Sequence, residues 1–215
     1  MERVLVTGGQ GDLGKQIAQH FRAAGCEVKA PDRHELDVTD PVSVDAYFSG
    51  LPPLDLLVAN AGLSHDQLLA RCDEADWDRQ LEVNLHGVFR CAKAALKPML
   101  RRRSGHLILL SSQSALRPPP GQAAYAAAKA GLIGLGKSLA REVGPAGIRA
   151  NVILPGFLET RMTDAVSEER KQAVRREHAL GRFNTADSAA EFLVHLHLRM
   201  PHTSGQVFRL DSRAD

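Results

Sequence analysis

Val4-Leu5-Val6-Thr7-Gly8-Gly9-Gln10-Gly11-Asp12-Leu13-Gly14 is the stretch that decides how this chain is read. Val4-Leu5-Val6 is a short apolar run stopped by glycines, the pattern of a buried strand. From Leu13 to Ala24 the apolar residues fall at helical spacing, and Gly25 supplies a C-terminal cap, so the stretch ends by opening a helix. A glycine-rich turn therefore joins a buried strand to a helix. Outward from it, Val28-Lys29-Ala30 reads as a second strand, followed by a polar stretch from Pro31 to Asp40. Asp40 is a suitable N-cap and Pro41 a suitable first residue for a helix to about Ser49.

Further along, Leu54 to Ala59, His106 to Leu110, Ala150 to Leu154 and Gln206 to Leu210 read as strands. Trp77 to Met99, Ala123 to Glu142 and Ser188 to Leu198 read as helices. Strands and helices alternate, which predicts a parallel sheet covered on both faces. The expected fold is α/β: a single Rossmann-type doubly wound parallel sheet in one domain over residues 1–215, with a lid at about 157–185. There is no internal repeat, low-complexity tract or linker to divide it.

The 215 residues carry 27 basic and 25 acidic side chains, a formal charge of +2 too balanced to imply nucleic acid or an anionic membrane as partner. Arg101-Arg102-Arg103 is the one basic run and reads as a solvated helix end. Cys26, Cys72 and Cys91 are odd in number and form no CxxC pair, so neither a disulfide framework nor a zinc site is expected. His178, His195 and His197 lack supporting cysteines or carboxylates and read as surface or packing residues, not metal ligands. No signal-peptide pattern precedes Arg3, and no uncharged apolar run is long enough to cross a bilayer. A cytoplasmic location is the resulting expectation.

Chemistry concentrates in four places. The glycine loop lets backbone N–H groups approach a pyrophosphate at a helix N-terminus. Asp32 follows the second strand, where a carboxylate can accept from adenosine ribose hydroxyls. Arg33 beside it is able to hold a 2′-phosphate instead. With Asp32 opposing that phosphate and no basic residue in the loop, the expectation leans to NAD over NADP. Tyr125 and Lys129 share one helix face, and a neighbouring ammonium lowers a phenol's pKa toward proton transfer near neutrality. Ser111-Ser112 ends a strand on the side where open parallel sheets bind ligands, so a hydroxyl there can hold a substrate oxygen near Tyr125.

Taken together, the chain resembles the short-chain dehydrogenase/reductase family. The resemblance rests on the loop Thr7 to Gly14, Asp37-Val38-Thr39-Asp40, Asn60-Ala61-Gly62, Asn84 within Val83-Asn84-Leu85, Ser112, Tyr125-Ala126-Ala127-Ala128-Lys129, and Pro155-Gly156 with Thr160. It covers nearly the whole chain in the family's order. It implies an oxidoreductase that moves a hydride between a nicotinamide dinucleotide and a carbonyl or secondary alcohol. Tyr125 would be general acid/base and Ser112 would orient the carbonyl. Lys129 would bind the nicotinamide ribose and lower the Tyr125 pKa, and Asn84 would hold a relay water. Thr7, Gly8, Gln10, Gly11, Leu13 and Gly14 would surround the pyrophosphate. Asp37 and Val38 would meet the adenine, with Asn60, Ala61 and Gly62 along the adenosine. Ile153, Pro155, Gly156, Phe157 and Thr160 would border the nicotinamide. Gly121 to Gly134 is most similar to β-ketoacyl-acyl carrier protein reductases, and self-association as a homodimer or homotetramer is implied.

Three departures stand out. Asp12 occupies the place of the loop's usual middle glycine, and is not assigned to phosphate contact. The segment between Asp32 and Asp37 leaves no room for a helix, so a third strand is a stub near Glu35 to Asp37. Met162 to Arg182, a short polar lid, reads as an amphipathic surface helix; Arg175 or Arg176 meeting an acidic carrier protein is the sharper alternative. A 3-oxoacyl or polyketide-like ketoreductase heads the functional readings. Oxidation of a small secondary alcohol by NAD, a non-catalytic dinucleotide-binding regulator, and a nucleotide-sugar epimerase or dehydratase stand as alternatives.

Overall fold

The computed structural model describes residues 1–213. Strands β1 (Arg3–Val6), β2 (Glu27–Lys29), β3 (Leu56–Ala59), β4 (Gly105–Leu110), β5 (Ile148–Leu154) and β6 (Val207–Arg209) form one parallel sheet in the order β2-β1-β3-β4-β5-β6. Val4 pairs with Val28 on one side and with Leu56 on the other. The winding therefore reverses between β1 and β3, and in such sheets the crevice beyond the carboxyl ends at the reversal receives ligands.

Both faces are covered. On one, α1 (Asp12–Ala23) and α7 (Ala186–Arg199) bury Ile17, Phe21, Leu193 and Leu196 against Val4, Val6, Val58 and Ile153. On the other, α2 (Pro41–Ser49), α4 (Gly87–Arg102) and α5 (Ala123–Val143) bury Val44, Ala95, Met99 and Val143 against Leu5, Leu57, Leu107 and Ala150. Val4 and Val6 face one helix layer while Leu5 faces the other, the two-residue alternation of a strand. Strands buried on both sides need continuous apolar runs, which is why β1, β3 and β4 read so clearly in the sequence.

Three expectations are corrected. No strand forms at Glu35 to Asp37, so the sheet has six strands and β2 is its edge. Asp32 Oδ1 accepts from the N–H groups of His34 and Glu35, and Leu36 N–H bonds back to the Asp32 carbonyl, coiling the segment into a turn. The edge strand is protected by its three-residue length and its exposed Glu27 and Lys29.

The helix expected at Trp77 to Met99 begins earlier and is interrupted. The Asp73 carboxylate caps α3 (Glu74–Leu81) by accepting from Asp76 N–H at 2.7 Å. A π-helical turn, Glu82–His86, then leads into α4, which ends at Arg103 with a left-handed φ of 53°. Such turns inside α-helices recur at functional sites.

The surface helix expected over Met162 to Arg182 is present but shorter, α6 (Glu168–Arg176) with Val174 as its buried residue, and the segment after it is tied down. Ala179 N–H donates to the Ser212 carbonyl and Leu180 N–H to Ser212 Oγ, so the chain's C-terminal segment holds it. Buried His178 lies 3.8 Å from the buried Asp211 carboxylate, which Arg213 also grips. His195 is exposed, while His178 and His197 are packing residues of the interior. Arg175 stacks 4.7 Å from the Phe183 ring and reaches Glu159 at 3.6 Å with its side chain partly exposed; Arg176 is exposed. No helix among the described residues is long and apolar enough to cross a membrane.

Candidate active site

The reversal point is stitched together by Thr7 and Asn60. Thr7 Oγ1 accepts from the N–H groups of Asn60 and Ala61, each at 3.0 Å. Asn60 Nδ2 donates to the carbonyls of Thr7 at 3.0 Å and Gly8 at 3.2 Å. These four bonds set the glycine loop beside the exit of β3. Gly8 has φ +61°, which favours glycine, and a side chain there would strike the Ala61 backbone. A Cβ on Gly14 would collide with the Gly8 carbonyl and lie 2.9 Å from Gly9 Cα. Gly11 caps α1 without a side-chain bond, leaving the first-turn N–H groups available to a ligand. A cradle that side chains would fill, opening onto free N–H donors at a helix N-terminus, fits a dinucleotide pyrophosphate.

At the adenosine end the predicted carboxylates serve the turn as well. Asp32 uses only Oδ1 in capping His34 and Glu35. Arg33 Nε and Nη2 both donate to Asp37 Oδ2 at 3.2 Å. Hydrogen bonds from Thr39, then those from Arg33, outweigh burial and hold the Asp37 carboxyl below the usual range. Val38 is buried against Gly87, where an added Cβ would lie 2.7 Å away. A cleft of about 560 Å³ borders this end, lined by Arg33, Thr39, Arg79, Glu82 and His86 among others.

Ser112, Tyr125 and Lys129 converge at the exit of β4. Ser111 donates from Oγ to the Lys129 carbonyl at 2.7 Å and thereby ties α5 to the strand end. Ser112 Oγ accepts from Ser114 N–H at 3.1 Å and lies near enough to Tyr125 to influence its phenol. Lys129 is buried; its Nζ donates to the Leu110 carbonyl at 2.9 Å and sits 5.6 Å from the Tyr125 ring centre. Desolvation pushes the ammonium down to about 8. Burial raises Tyr125 above its ordinary value, the nearby Ser112 hydroxyl offsets part of this, and the Asp66 carboxylate adds to the rise. The expected lowering of Tyr125 by Lys129 is not what the fold delivers: burial is the larger effect, and the ammonium is engaged by the Leu110 carbonyl.

Asn84 lies within the π-helical turn and is fully buried. Its Nδ2 donates to the carbonyls of Leu63 at 2.8 Å and Gln80 at 2.9 Å, and Oδ1 accepts from Leu63 N–H at 3.2 Å. Gly62 separates Asn84 from Lys129: a Cβ there would lie 2.9 Å from Asn84 Oδ1 and 3.4 Å from Lys129 Nζ.

Pro155, Gly156, Phe157 and Thr160 leave β5 as the far wall of the crevice. Ile153, still within β5, is fully buried in the core. The Pro155 carbonyl accepts from Asn184 at 2.9 Å, and Phe157 stacks on Phe183 at 4.5 Å. Thr160 N–H donates to Thr163 Oγ1, starting a short turn, Arg161–Thr163. Gln10 and Leu13 lie on the opposite wall, where Gln10 Nε2 donates to the Ala30 carbonyl.

Two features went unread in the sequence. Asp12 is bound across the crevice by Arg161, at 2.8 and 2.9 Å; no spacing rule links residues so far apart. Gln113, next to Ser112, is buried with neither amide atom partnered among the described residues. Among those residues no group of three or more His, Cys, Asp or Glu is placed to hold a metal.

A doubly wound sheet, a pyrophosphate cradle at its reversal and a Ser–Tyr–Lys group at the next strand exit define a dinucleotide-dependent oxidoreductase. The family model described as enoyl-(acyl carrier protein) reductase matches residues 3–212. The chain is 37% identical to the 3-oxoacyl-[acyl-carrier-protein] reductase FabG of Escherichia coli (strain K12), over 89% of this chain and 88% of that protein. It is 40% identical to the reductase of the same name from Staphylococcus aureus (strain Mu50), over 81% and 72%. The chain belongs to the short-chain dehydrogenase/reductase family and is an NAD(P)-dependent oxidoreductase.

Proposed function

We propose that this enzyme reduces the 3-oxo group of an acyl thioester to a secondary alcohol, with Tyr125 as the proton donor. The observation that carries the reading is the meeting of Ser112, Tyr125 and buried Lys129 at the exit of β4, with Lys129 Nζ 5.6 Å from the Tyr125 ring centre and fixed by the Leu110 carbonyl, while burial raises the Tyr125 phenol. A phenol in that state keeps its proton at neutral pH and gives it to an oxygen whose basicity rises as the carbonyl is reduced. The same tyrosine serves as the base in the reverse direction, so reduction is preferred to the alcohol-dehydrogenase reading on the 3-oxoacyl reductase relatives. The 3-oxoacyl class, and a carrier protein as its bearer, come from the names of the relatives.

The bound nicotinamide supplies the hydride. The chain's own residues do the rest. Ser112 orients the substrate oxygen toward Tyr125. Lys129 borders the phenol and the cofactor's ribose side, and donates to the Leu110 carbonyl, which fixes its place. Asn84 pins Leu63, and its Oδ1 and the Lys129 ammonium lie on either side of Gly62, where a relay water would sit. Thr7, Gly8, Gln10, Gly11, Leu13 and Gly14 hold the pyrophosphate; Asp37, Val38, Asn60, Ala61 and Gly62 border the adenosine; Pro155, Gly156, Phe157 and Thr160 border the nicotinamide. Asp32 keeps Oδ2 for a ribose hydroxyl, and Arg33 is neutralised by Asp37, so NAD is preferred to NADP. Self-association through α4 and α5 suits the exposed Phe89, Ala127, Ala130 and Gly134.

The test is reduction of acetoacetyl-CoA followed by loss of NADH or NADPH absorbance, with Tyr125→Phe alongside. A loss of roughly a hundredfold or more in kcat, with dinucleotide affinity retained, is expected. Equal activity in the variant would remove Tyr125 from the chemistry.

A further inference from the structure

Asp12 and Arg161 join the two walls of the crevice. Asp12 is the first residue of α1, and Arg161 opens the turn that follows Thr160. Arg161 N–H donates to Asp12 Oδ2 at 2.8 Å, its Nε donates to Asp12 Oδ1 at 2.9 Å, and its Nη2 donates to the Gln10 carbonyl at 3.1 Å. One wall leaves β1 and the other leaves β5, and β3 and β4 stand between them in the sheet. Three strand spacings amount to about 14 Å. The pair therefore straps the crevice above the exits of β3 and β4, with its root on the glycine loop. Gln10 extends the strap to the exit of β2 through its bond to the Ala30 carbonyl at 3.1 Å.

The two charges act in opposite senses on an incoming anion. The Asp12 carboxylate stands on the first turn of α1, whose N–H groups and positive dipole end suit a phosphate. It opposes a pyrophosphate drawn to the same donors, and the Arg161 hydrogen bonds hold its carboxyl in the charged form. The Arg161 side chain is largely exposed, and its planar fork matches phosphate oxygens as well as it matches the carboxylate.

We propose that Arg161 is a pyrophosphate-binding residue held over the glycine loop by Asp12, so that the dinucleotide competes with Asp12 for the guanidinium. The proposal rests on the crevice being the dinucleotide site. It makes the two partners of one ion pair unequal. Removing the Asp12 charge frees the guanidinium and removes a repulsion; removing Arg161 deletes an attraction and leaves Asp12 uncompensated. A strap with only a structural purpose gives the same sign for both.

The experiment is equilibrium titration with NADH, read by nicotinamide fluorescence, and displacement by ADP-ribose, which carries the pyrophosphate without the nicotinamide. Wild type, Asp12→Asn, Arg161→Ala and the double variant are compared, with thermal unfolding as the check that each is folded. Expected are a Kd about tenfold lower for Asp12→Asn, about tenfold higher for Arg161→Ala, and a double variant between them, for both ligands. The Arg161→Ala Kd should also respond less to added salt. Shifts of one sign in both single variants, or no shift in either, overturn the proposal while leaving the proposed function standing. A wild-type chain that binds neither NADH nor NADPH overturns the proposed function and this proposal with it.

Discussion

Lowering the pH from about 7.5 to about 5 should cost this protein stability through one buried histidine pair. At the amino end of β4 and β5, away from the crevice, Asn151 Oδ1 accepts from Gln206 N–H and its Nδ2 donates to the Thr203 carbonyl. That fixes the amide orientation, so Nδ2 also donates to His106 Nε2 at 3.0 Å. His106 must then carry its proton on Nδ1 and donate it to His197 Nδ1 at 3.2 Å. His197 is left with Nε2–H, facing Glu2 at 3.4 Å. Arg149 lies against His197 Nδ1 at 3.4 Å and opposes further positive charge, while Asp55 and Glu2 act the other way.

Desolvation, then Arg149, pushes His197 down to about 4, and desolvation pushes His106 well below its ordinary value. A folded-state value below the unfolded one means that stability is full above the unfolded value, about 6.5, and is lost as pH falls toward the folded value. At pH 5 the unfolded imidazole is almost fully protonated and His197 in the fold is mostly neutral, a difference of about 2 kcal/mol. Urea unfolding at the two pH values measures it. Wild type should lose at least about 2 kcal/mol, and His197→Gln, which cannot titrate, should recover most of that amount. A loss below about 1 kcal/mol in wild type, or an equal loss in the variant, refutes the tautomer chain.

Other outcomes follow from the same geometry. Gly14→Ala should raise the NADH Kd by roughly a hundredfold or leave binding undetectable, because its Cβ would meet the Gly8 carbonyl and Gly9 Cα; unchanged titration would deny the cradle. With Lys129 titrating at about 8, kcat for reduction should fall as pH rises through that value, and a flat profile to pH about 9.5 would separate Lys129 from the reaction. Gln113→Met should leave stability unchanged or raise it by about 1 kcal/mol in thermal or urea unfolding, since the native amide is buried without partners among the described residues. A clear destabilisation would mean that the amide is satisfied.

The residues of the candidate site were legible because their chemistry is local. Tyr125 and Lys129 share a helix face at any tertiary fold, and Thr7 to Gly14 announces a strand, a turn and a helix by composition alone. The α/β class was equally legible, since strands buried on both faces require the unbroken apolar runs seen at β1, β3 and β4. The boundaries that slipped were those fixed by single polar side chains. Asp32 capping its own turn abolished the expected strand stub, and the Asp73 cap moved a helix start forward.

What only the tertiary structure decided were relations between residues far apart in sequence. The Asp12–Arg161 clasp joins the exits of strands that lie apart in the sheet, so neither residue signals the other by spacing. The raised pKa of Tyr125 depends on burial and on where the Lys129 ammonium points, which a helical offset of four leaves open. The tautomers of His106 and His197 depend on Asn151, Thr203 and Gln206 meeting at one point. Sequence periodicity determines which face of an element is apolar; burial, desolvation and long-range charge pairing arise only when those faces have met.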